Sequence, residues 1–409
     1  MLKRVVVTGM AGISPIGSNW PVVAERLKSQ QTGIRYLPDW EIYQGLNTRL
    51  GAPAEFTRPE HYSRKQTRSM GRIALMATAA TEMALTDAGL LNHACLNSGQ
   101  MGVAYGSSSG SPDAIADFGH MLINHTTEGL NATSYIRMMG HTTPVNIGLF
   151  FGINGRIYTT SSACTSGSQG IGYAYEAIKY GMQTLMVAGG AEELSASQAA
   201  VFDTLFATSL RNDAPDKSPR PFDRERDGLV IGEGAGTLIL EELEHALARG
   251  AHIHAEIVGF GTNSDGLHVT QPSSNNMQVA MRLALQDASL PSSAIGYVSA
   301  HGTATGHGDI AESHATAAVF GSNTPISALK SYTGHTLGAC GALEAWVSIH
   351  MLNEGWFHPT VNLNNIDPEC AQLDYIKDDV RKIACDHVMS NNFAFGGINT
   401  SLIFKRWGC

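Results

Sequence analysis

The stretch Arg156–Gly181, "RIYTTSSACTSGSQGIGYAYEAIKYG", decides the fold. Its β-branched opening reads as a strand entering a tight turn. Beyond the turn, Ile171, Ala174, Tyr175 and Ile178 recur at helical spacing. Cys164 stands between the two. The unit has an echo at 325–355, "PISALKSYTGHTLGACGALEAWVSIHMLNEG", again a strand, a polar turn and a glycine-rich helix. Two fainter echoes keep the same order: "MGVAYGSSSG" (101–110) matches "IGYVSAHGTATG" (295–306), and "VVVTG" (5–9) matches "AEIVGFG" (255–261). Ordered self-similarity of this kind predicts a duplicated α/β unit, with halves at 1–250 and 251–409. Equivalent strand ends of the halves then converge, bringing Cys164, His301, Lys330 and His335 to one place.

Between the echoes the same alternation continues. "GRIALMATAATEMALTDAGL" (71–90) reads as a helix ending at Gly89. The polar run "RNDAPDKSPRPFDRERDG" (211–228) reads as a surface loop.

The net charge of −9, without a basic run, argues against nucleic acid as a partner. The apolar run Val5–Val7 is too short for a signal peptide, and no stretch approaches a membrane span. Six widely spaced cysteines with no C-x-x-C pair argue against a zinc site or a disulfide framework, so a reduced, cytoplasmic protein is expected. The glycine-rich segments fit neither G-x-G-x-x-G opening a helix nor a P-loop, which leaves nucleotide binding unsupported. His301, His307 and Asp309 share a loop without helical ligand spacing, and no metal is expected there.

Cys164 is either a packed thiol or a nucleophile. At a helix N-terminus, unpaired N–H groups and the dipole favour the thiolate and could hold an oxyanion on a bound thioester. His301 and His335, each in a glycine- and threonine-rich turn after a strand, are structural one by one. As a pair in equivalent turns they suggest chemistry.

Five segments, "SSACTSGSQGIGYA" (161–174), "RPFDRERDGLVIGEGAG" (220–236), "AHGTATGHGD" (300–309), "LKSYTGHTLGACGALEA" (329–345) and "NNFAFGGINTSLIF" (391–404), together resemble the elongating β-ketoacyl-acyl-carrier-protein synthases. The resemblance implies the thiolase fold, two α/β halves in an αβαβα five-layer sandwich, and a decarboxylating Claisen condensation. It assigns acyl transfer to Cys164, stabilisation of the malonyl-derived carbanion to His301 and His335, and an electropositive, orienting role to Lys330. The oxyanion hole falls to the N–H groups of Cys164 and Phe395, with Phe395, Gly396 and Gly397 forming a gate. Supporting positions are Glu344, Phe393, Asp309 and Glu312.

No cofactor is implied beyond the phosphopantetheine arm of an acyl carrier protein. The implied assembly is a homodimer, or a heterodimer with a ketosynthase-like subunit. His335 separates the chain from initiating synthases, which use Cys-His-Asn, and Cys164 separates it from non-catalytic chain-length factors. A subunit that needs such a partner, or a thiolase-type acyltransferase on coenzyme A esters, are the competing readings.

Two departures stand out. Where related synthases tend to be basic on the carrier-facing surface, this chain has Glu128, Gly129 and Phe206. Lys65, Arg68 and Arg211 remain as carrier contacts. Ser109 takes the place of an isoleucine that often limits acyl-pocket depth, which implies a longer channel suited to long or unsaturated chains of a polyene or polyketide pathway.

Overall fold

Residues 2–408 are described by a computed structural model. The first half contributes strands β1 (Val5–Ile13), β2 (Met101–Gly106), β3 (Ile157–Thr160), β4 (Leu185–Glu192) and β5 (Gly234–Glu242). The second contributes β6 (Ala255–Ser264), β7 (Ile295–Ser299), β8 (Pro325–Ser327), the two-residue β9 (Asp374–Tyr375), β10 (His387–Ala394) and β11 (Ile398–Arg406).

Spatially the first half runs β3-β2-β4-β5-β1 and the second β8-β7-β10-β11-β6, with β9 added beyond β8. The pairings match as well. In each half the two outermost neighbours are parallel, and the two hairpin-like contacts at the other side are antiparallel. The halves join where Val5–Val7 of β1 pairs with Ala255–Ile257 of β6, giving one hydrogen-bonded run of eleven strands. A register break between Val7 and Gly9 bends β1 away just beyond that join. The boundary expected at 250/251 falls between the helix ending at Ala248 and the start of β6.

Helices α1 (Arg72–Asp87), α2 (Ser166–Lys179), α3 (Ser274–Ala288), α4 (Gly306–Phe320) and α5 (Cys340–Glu354) complete the layers. Period-two alternation along the strands separates the cores. Met186 and Ala188 of β4 face the central core, while Leu185 and Val187 face the core beneath α1. In β11, Leu402 and Phe404 point inward and Ile403 points toward α3. The central core holds Ile171, Ala174, Tyr175 and Ile178 of α2 against Ala342, Trp346 and Ile349 of α5. Every residue from Cys340 to Ile349 is buried, as a helix between two sheets requires. The architecture is therefore the αβαβα thiolase-like sandwich.

The close approach of α2 and α5 rests on glycine. A Cβ on Gly167 would stand 2.8 Å from the Gly338 carbonyl oxygen, and one on Gly341 would stand 2.8 Å from the Ser168 side chain.

The 211–228 segment departs from expectation. It is irregular, but Ser218, Arg220, Phe222 and Asp223 are buried rather than solvated. The Asp223 carboxylate accepts from the backbone N–H groups of Asn364 and Asn365 (both 2.8 Å), so this buried charge finds its partners in the other half instead of in water.

Candidate active site

Cys164 sits in the turn joining β3 to α2 and is 4% exposed. Ala163 before it has φ +49°. Ser166 clamps the turn, accepting from Ser162 N (3.0 Å) and donating to Ala163 O (2.6 Å). The equivalent turn before α5 repeats the same backbone, with Leu337 at φ +46°. The duplication thus places His335 opposite Cys164, with its Nε2 3.0 Å from the Cys164 sulfur.

The histidine tautomers follow from their second nitrogens. The Leu337 N–H donates to His335 Nδ1 (3.2 Å), so the His335 proton is on Nε2. The Lys330 ammonium stands 3.0 Å from His301 Nδ1 and, having no acceptor, must donate. His301 is therefore also protonated at Nε2. The rings are 5.2 Å apart and nearly perpendicular. One ligand atom from each of Cys164, His301 and His335 lies within 4.8 Å of the other two. The ammonium beside His301 opposes the use of this trio as a cation site.

Lys330 is itself locked in an ion pair with Glu344. The second Glu344 oxygen accepts from Asn392 Nδ2 (2.6 Å). Glu312 holds the His301 turn by accepting from the N–H groups of His301 and Gly302 (both 2.7 Å). Asp309 ties the loop across the molecule, accepting from Phe222 N (2.7 Å) and Ala304 N (3.1 Å).

Burial dominates the electrostatics. It pushes the Cys164 thiol up to about 11, against the pull of Lys330 and of the Phe395 and Cys164 N–H groups aimed at the sulfur. The thiolate-favouring environment expected from the helix N-terminus is thus corrected: loss of water around the sulfur outweighs the dipole. Burial, then Lys330, holds both His301 and His335 well below the usual histidine range, so both rings are neutral. For Lys330 burial alone would act downward, but the groups facing it, Cys340 and Glu344 foremost, hold its pKa up, and it stays an ammonium.

The remaining expected residues divide. Phe393 packs 6.1 Å from the His301 ring, and Phe395 packs 5.0 Å from Phe202. Gly396 and Gly397 both take left-handed backbone, φ +85° and +73°. A cavity of about 490 Å³ reaches Cys164, His301 and His335, and Phe393 and Phe395 line it. Ser109 is not among its lining residues: it is half-buried, and its hydroxyl turns to Gly110 O (3.4 Å). Lys65 and Arg68 are exposed on and beside the short helix Arg64–Thr67, whereas Arg211 is half-buried against Asp227.

Asn392 and Cys340 were not singled out from the sequence. Asn392 lies within a quoted motif, and a polar residue inside the strand-like "VMSNNFA" is the signal that could have found it. Cys340, whose thiol donates to Cys164 O (3.2 Å), carries no local signal.

Two family models match the chain: β-ketoacyl synthase, N-terminal domain, over residues 2–246, and β-ketoacyl synthase, C-terminal domain, over residues 254–364. The 3-oxoacyl-[acyl-carrier-protein] synthase 1 of Escherichia coli (strain K12) is 37% identical over 410 residues, covering 99% of both chains. A crystal structure of a β-ketoacyl synthase from Burkholderia phymatum STM815 is similar at 59% identity, covers 99% of both chains and has a TM-score of 0.98. The ishigamide ketosynthase/chain length factor is similar at 31% identity, over 100% of both chains, with a TM-score of 0.91.

Proposed function

The chain belongs to the β-ketoacyl synthase family, and on that premise we propose that it elongates a Cys164-bound acyl chain by two carbons from malonyl-acyl carrier protein. The observation that carries this reading is the pair of neutral imidazoles, each with its proton on Nε2 and both beside the Cys164 sulfur.

In the first step the sulfur attacks the acyl thioester. A bond from sulfur to the acyl carbon forms, the bond to the phosphopantetheine sulfur breaks, and the freed arm leaves with the thiol proton. The malonyl thioester then loses carbon dioxide, and the electron pair moves onto its thioester oxygen. Two N–H donors in a dry pocket stabilise that charge without having to reorganise. The resulting carbanion attacks the acyl-Cys164 carbonyl, whose oxyanion faces the N–H groups of Cys164 and Phe395. Collapse expels the Cys164 thiolate, which regains a proton.

Neutrality of the rings matters in this scheme. An imidazolium would hold the malonyl carboxylate and oppose its departure as carbon dioxide. Lys330 and Glu344 act as positioning residues, fixing the His301 tautomer from behind.

A second copy, or a ketosynthase-like subunit, fits the open edge of the sheet at β3. Ile157 at that edge and Leu149 beside it are exposed apolar residues. Among the described residues no helix is long and apolar enough to cross a membrane.

The test is product analysis with the isolated protein, acyl-carrier protein and malonyl-carrier protein. A β-ketoacyl product from this chain alone supports the reading. Carbon dioxide without condensation points to a decarboxylase, and silence until a second subunit is added points to an obligate heterodimer.

A further inference from the structure

The opening above Cys164 has an apolar rim. Phe206 is 90% exposed, Val269 61% and Leu205 45%, and all three line the cavity that reaches the sulfur. Leu210 and Leu267, their neighbours in the chain, are exposed as well.

The rim is built rather than loose. Phe206 has φ +54°, an unfavourable region for a residue with a side chain. Its N–H donates to Asp203 O (3.0 Å), and Ala207 N–H donates to Phe202 O (2.9 Å). The Asp203 carboxylate fixes the base of the turn, accepting from Asn47 N (2.8 Å), Thr48 N (3.2 Å) and Thr208 Oγ1 (2.8 Å). Across the opening, Val269 is held by the Gly396 N–H, which donates to its carbonyl (2.9 Å). The fold therefore accepts backbone strain to present an aromatic ring to water.

Among the described residues, the cavity lining offers an acidic partner no unpaired arginine or lysine. Arg226 at the cavity wall is paired with Asp367 and lies 3.6 Å from Asp309. Arg211 lies 3.6 Å from Asp227 and donates to Glu225 O (2.8 Å). Asp227 and Asp265 add carboxylates to the cavity lining. A partner that threads an arm through this opening covers the rim as it does so, which makes the rim continuous with the site.

Resting on the reading that a carrier-borne thioester enters here, we infer that the carrier protein docks through an apolar contact centred on Phe206, with an affinity that salt scarcely weakens. The partner is a carrier with an apolar patch beside its phosphopantetheine attachment point. Aromatic anchors ringed by smaller contacts dominate interfaces of this kind.

The test compares acylation of Cys164 by hexanoyl-acyl carrier protein with that by hexanoyl-N-acetylcysteamine, which has no protein to dock. In Phe206→Ser the KM for the carrier-bound substrate should rise about tenfold or more, with a roughly tenfold smaller effect on the free thioester. Val269→Ser, on the other lip, should give the same pattern. The wild-type KM for the carrier should change less than about threefold between about 0.05 and 0.5 M NaCl. A steep salt dependence that ignores Phe206→Ser but follows Lys65→Ala or Arg68→Ala overturns the inference. So does dissociation of the oligomer by Phe206→Ser, which would assign the surface to a second copy. If neither thioester acylates wild-type Cys164, the functional reading fails first and takes this inference with it.

Discussion

The Lys330 ammonium lies 3.0 Å from His301 Nδ1, and that contact decides where the His301 proton resides. Replacing Lys330 with methionine keeps the bulk but removes the cationic donor to that nitrogen. Nδ1 then faces only the longer, neutral contact from Asn392 Nδ2 (3.4 Å), so the Nε2–H form is less firmly held, and the buried Glu344 loses its counter-charge. Loss of one preorganised oxyanion donor typically costs ~10²–10³ in rate. Lys330→Met should therefore cut malonyl decarboxylation by that order while leaving acylation of Cys164 less affected. It should also lower the melting temperature, since breaking one side of a buried pair typically costs about 3–5 kcal/mol. Nitrogen NMR shifts of His301 would show the mixed tautomer. A single Nε2–H form with undiminished decarboxylation would refute the positioning role.

Cys164 should behave as a slow thiol until substrate arrives. With its pKa pushed up to about 11 by burial, the thiolate fraction below pH 9 rises tenfold per pH unit. Iodoacetamide labelling of the free enzyme should follow that slope without levelling off at pH 8. A plateau near neutrality would mean that the N–H groups of Phe395 and Cys164 outweigh desolvation. In Cys164→Ala no acyl adduct should appear by intact mass, yet some malonyl decarboxylation should persist, because both imidazole donors remain in place. Condensation at the wild-type rate in that variant would overturn the assignment.

The loop after β10 offers a paired comparison. A Cβ on Gly397 would meet the Asp265 Cβ at 2.6 Å, whereas one on Gly396 meets nothing, although both residues have positive φ. Gly396→Ala carries only the left-handed backbone cost, about 1 kcal/mol. Gly397→Ala adds a clash that must displace the loop bearing Phe395. The second variant should lose roughly tenfold or more in kcat and the first much less. Equal kcat values would remove the loop from the rate-determining geometry.

The duplication explains why so much of this site could be read from the chain. Cys164 and His335 follow β3 and β8, which hold equivalent places in the two halves. His301 instead follows β7, the counterpart of β2, so the two histidines sit in neighbouring turns and not in the equivalent turns expected of them. What could not be read depends on neighbours distant in sequence. The acidity of Cys164 is set by whatever covers the sulfur, and the local helix N-terminus pointed the other way. Asp223 looks like a solvated loop residue until the second half supplies the N–H groups of Asn364 and Asn365, and Arg220 is buried in turn against Asp223. Asn392 gains its meaning from the Glu344 oxygen it meets, a partner 48 residues away.

Stability should fall from about pH 6.5 toward pH 9, because of buried glutamates. Burial raises Glu192 and Glu193 to about 7 and Glu312 to about 8. Unfolded, each would ionise near the ordinary value of 4.5. Between those values the folded chain holds more protons than the unfolded one, so stability decreases as pH rises. Their contribution is complete below about pH 4.5 and is lost as pH passes through 7 to 8. Each unit of displacement corresponds to ~1.4 kcal/mol, and backbone N–H donors such as Ser108 and Gly338 on Glu192 temper the loss. Acid acts in the opposite direction through Asp203, Asp223 and Glu241, whose hydrogen bonds hold them below the usual carboxylate range despite burial. Burial also holds the neutral His301, His335, His350 and His358 below the ordinary histidine value of 6.5, and these groups add to that acid loss. Thermal melts should therefore peak near pH 6 to 7 and fall by several degrees toward pH 9. Glu192→Gln keeps most of the contacts and removes one titration, so it should flatten the alkaline side of the profile. A melting temperature that climbs steadily from pH 5 to pH 9 would show that these carboxyl groups are already ionised in the folded protein.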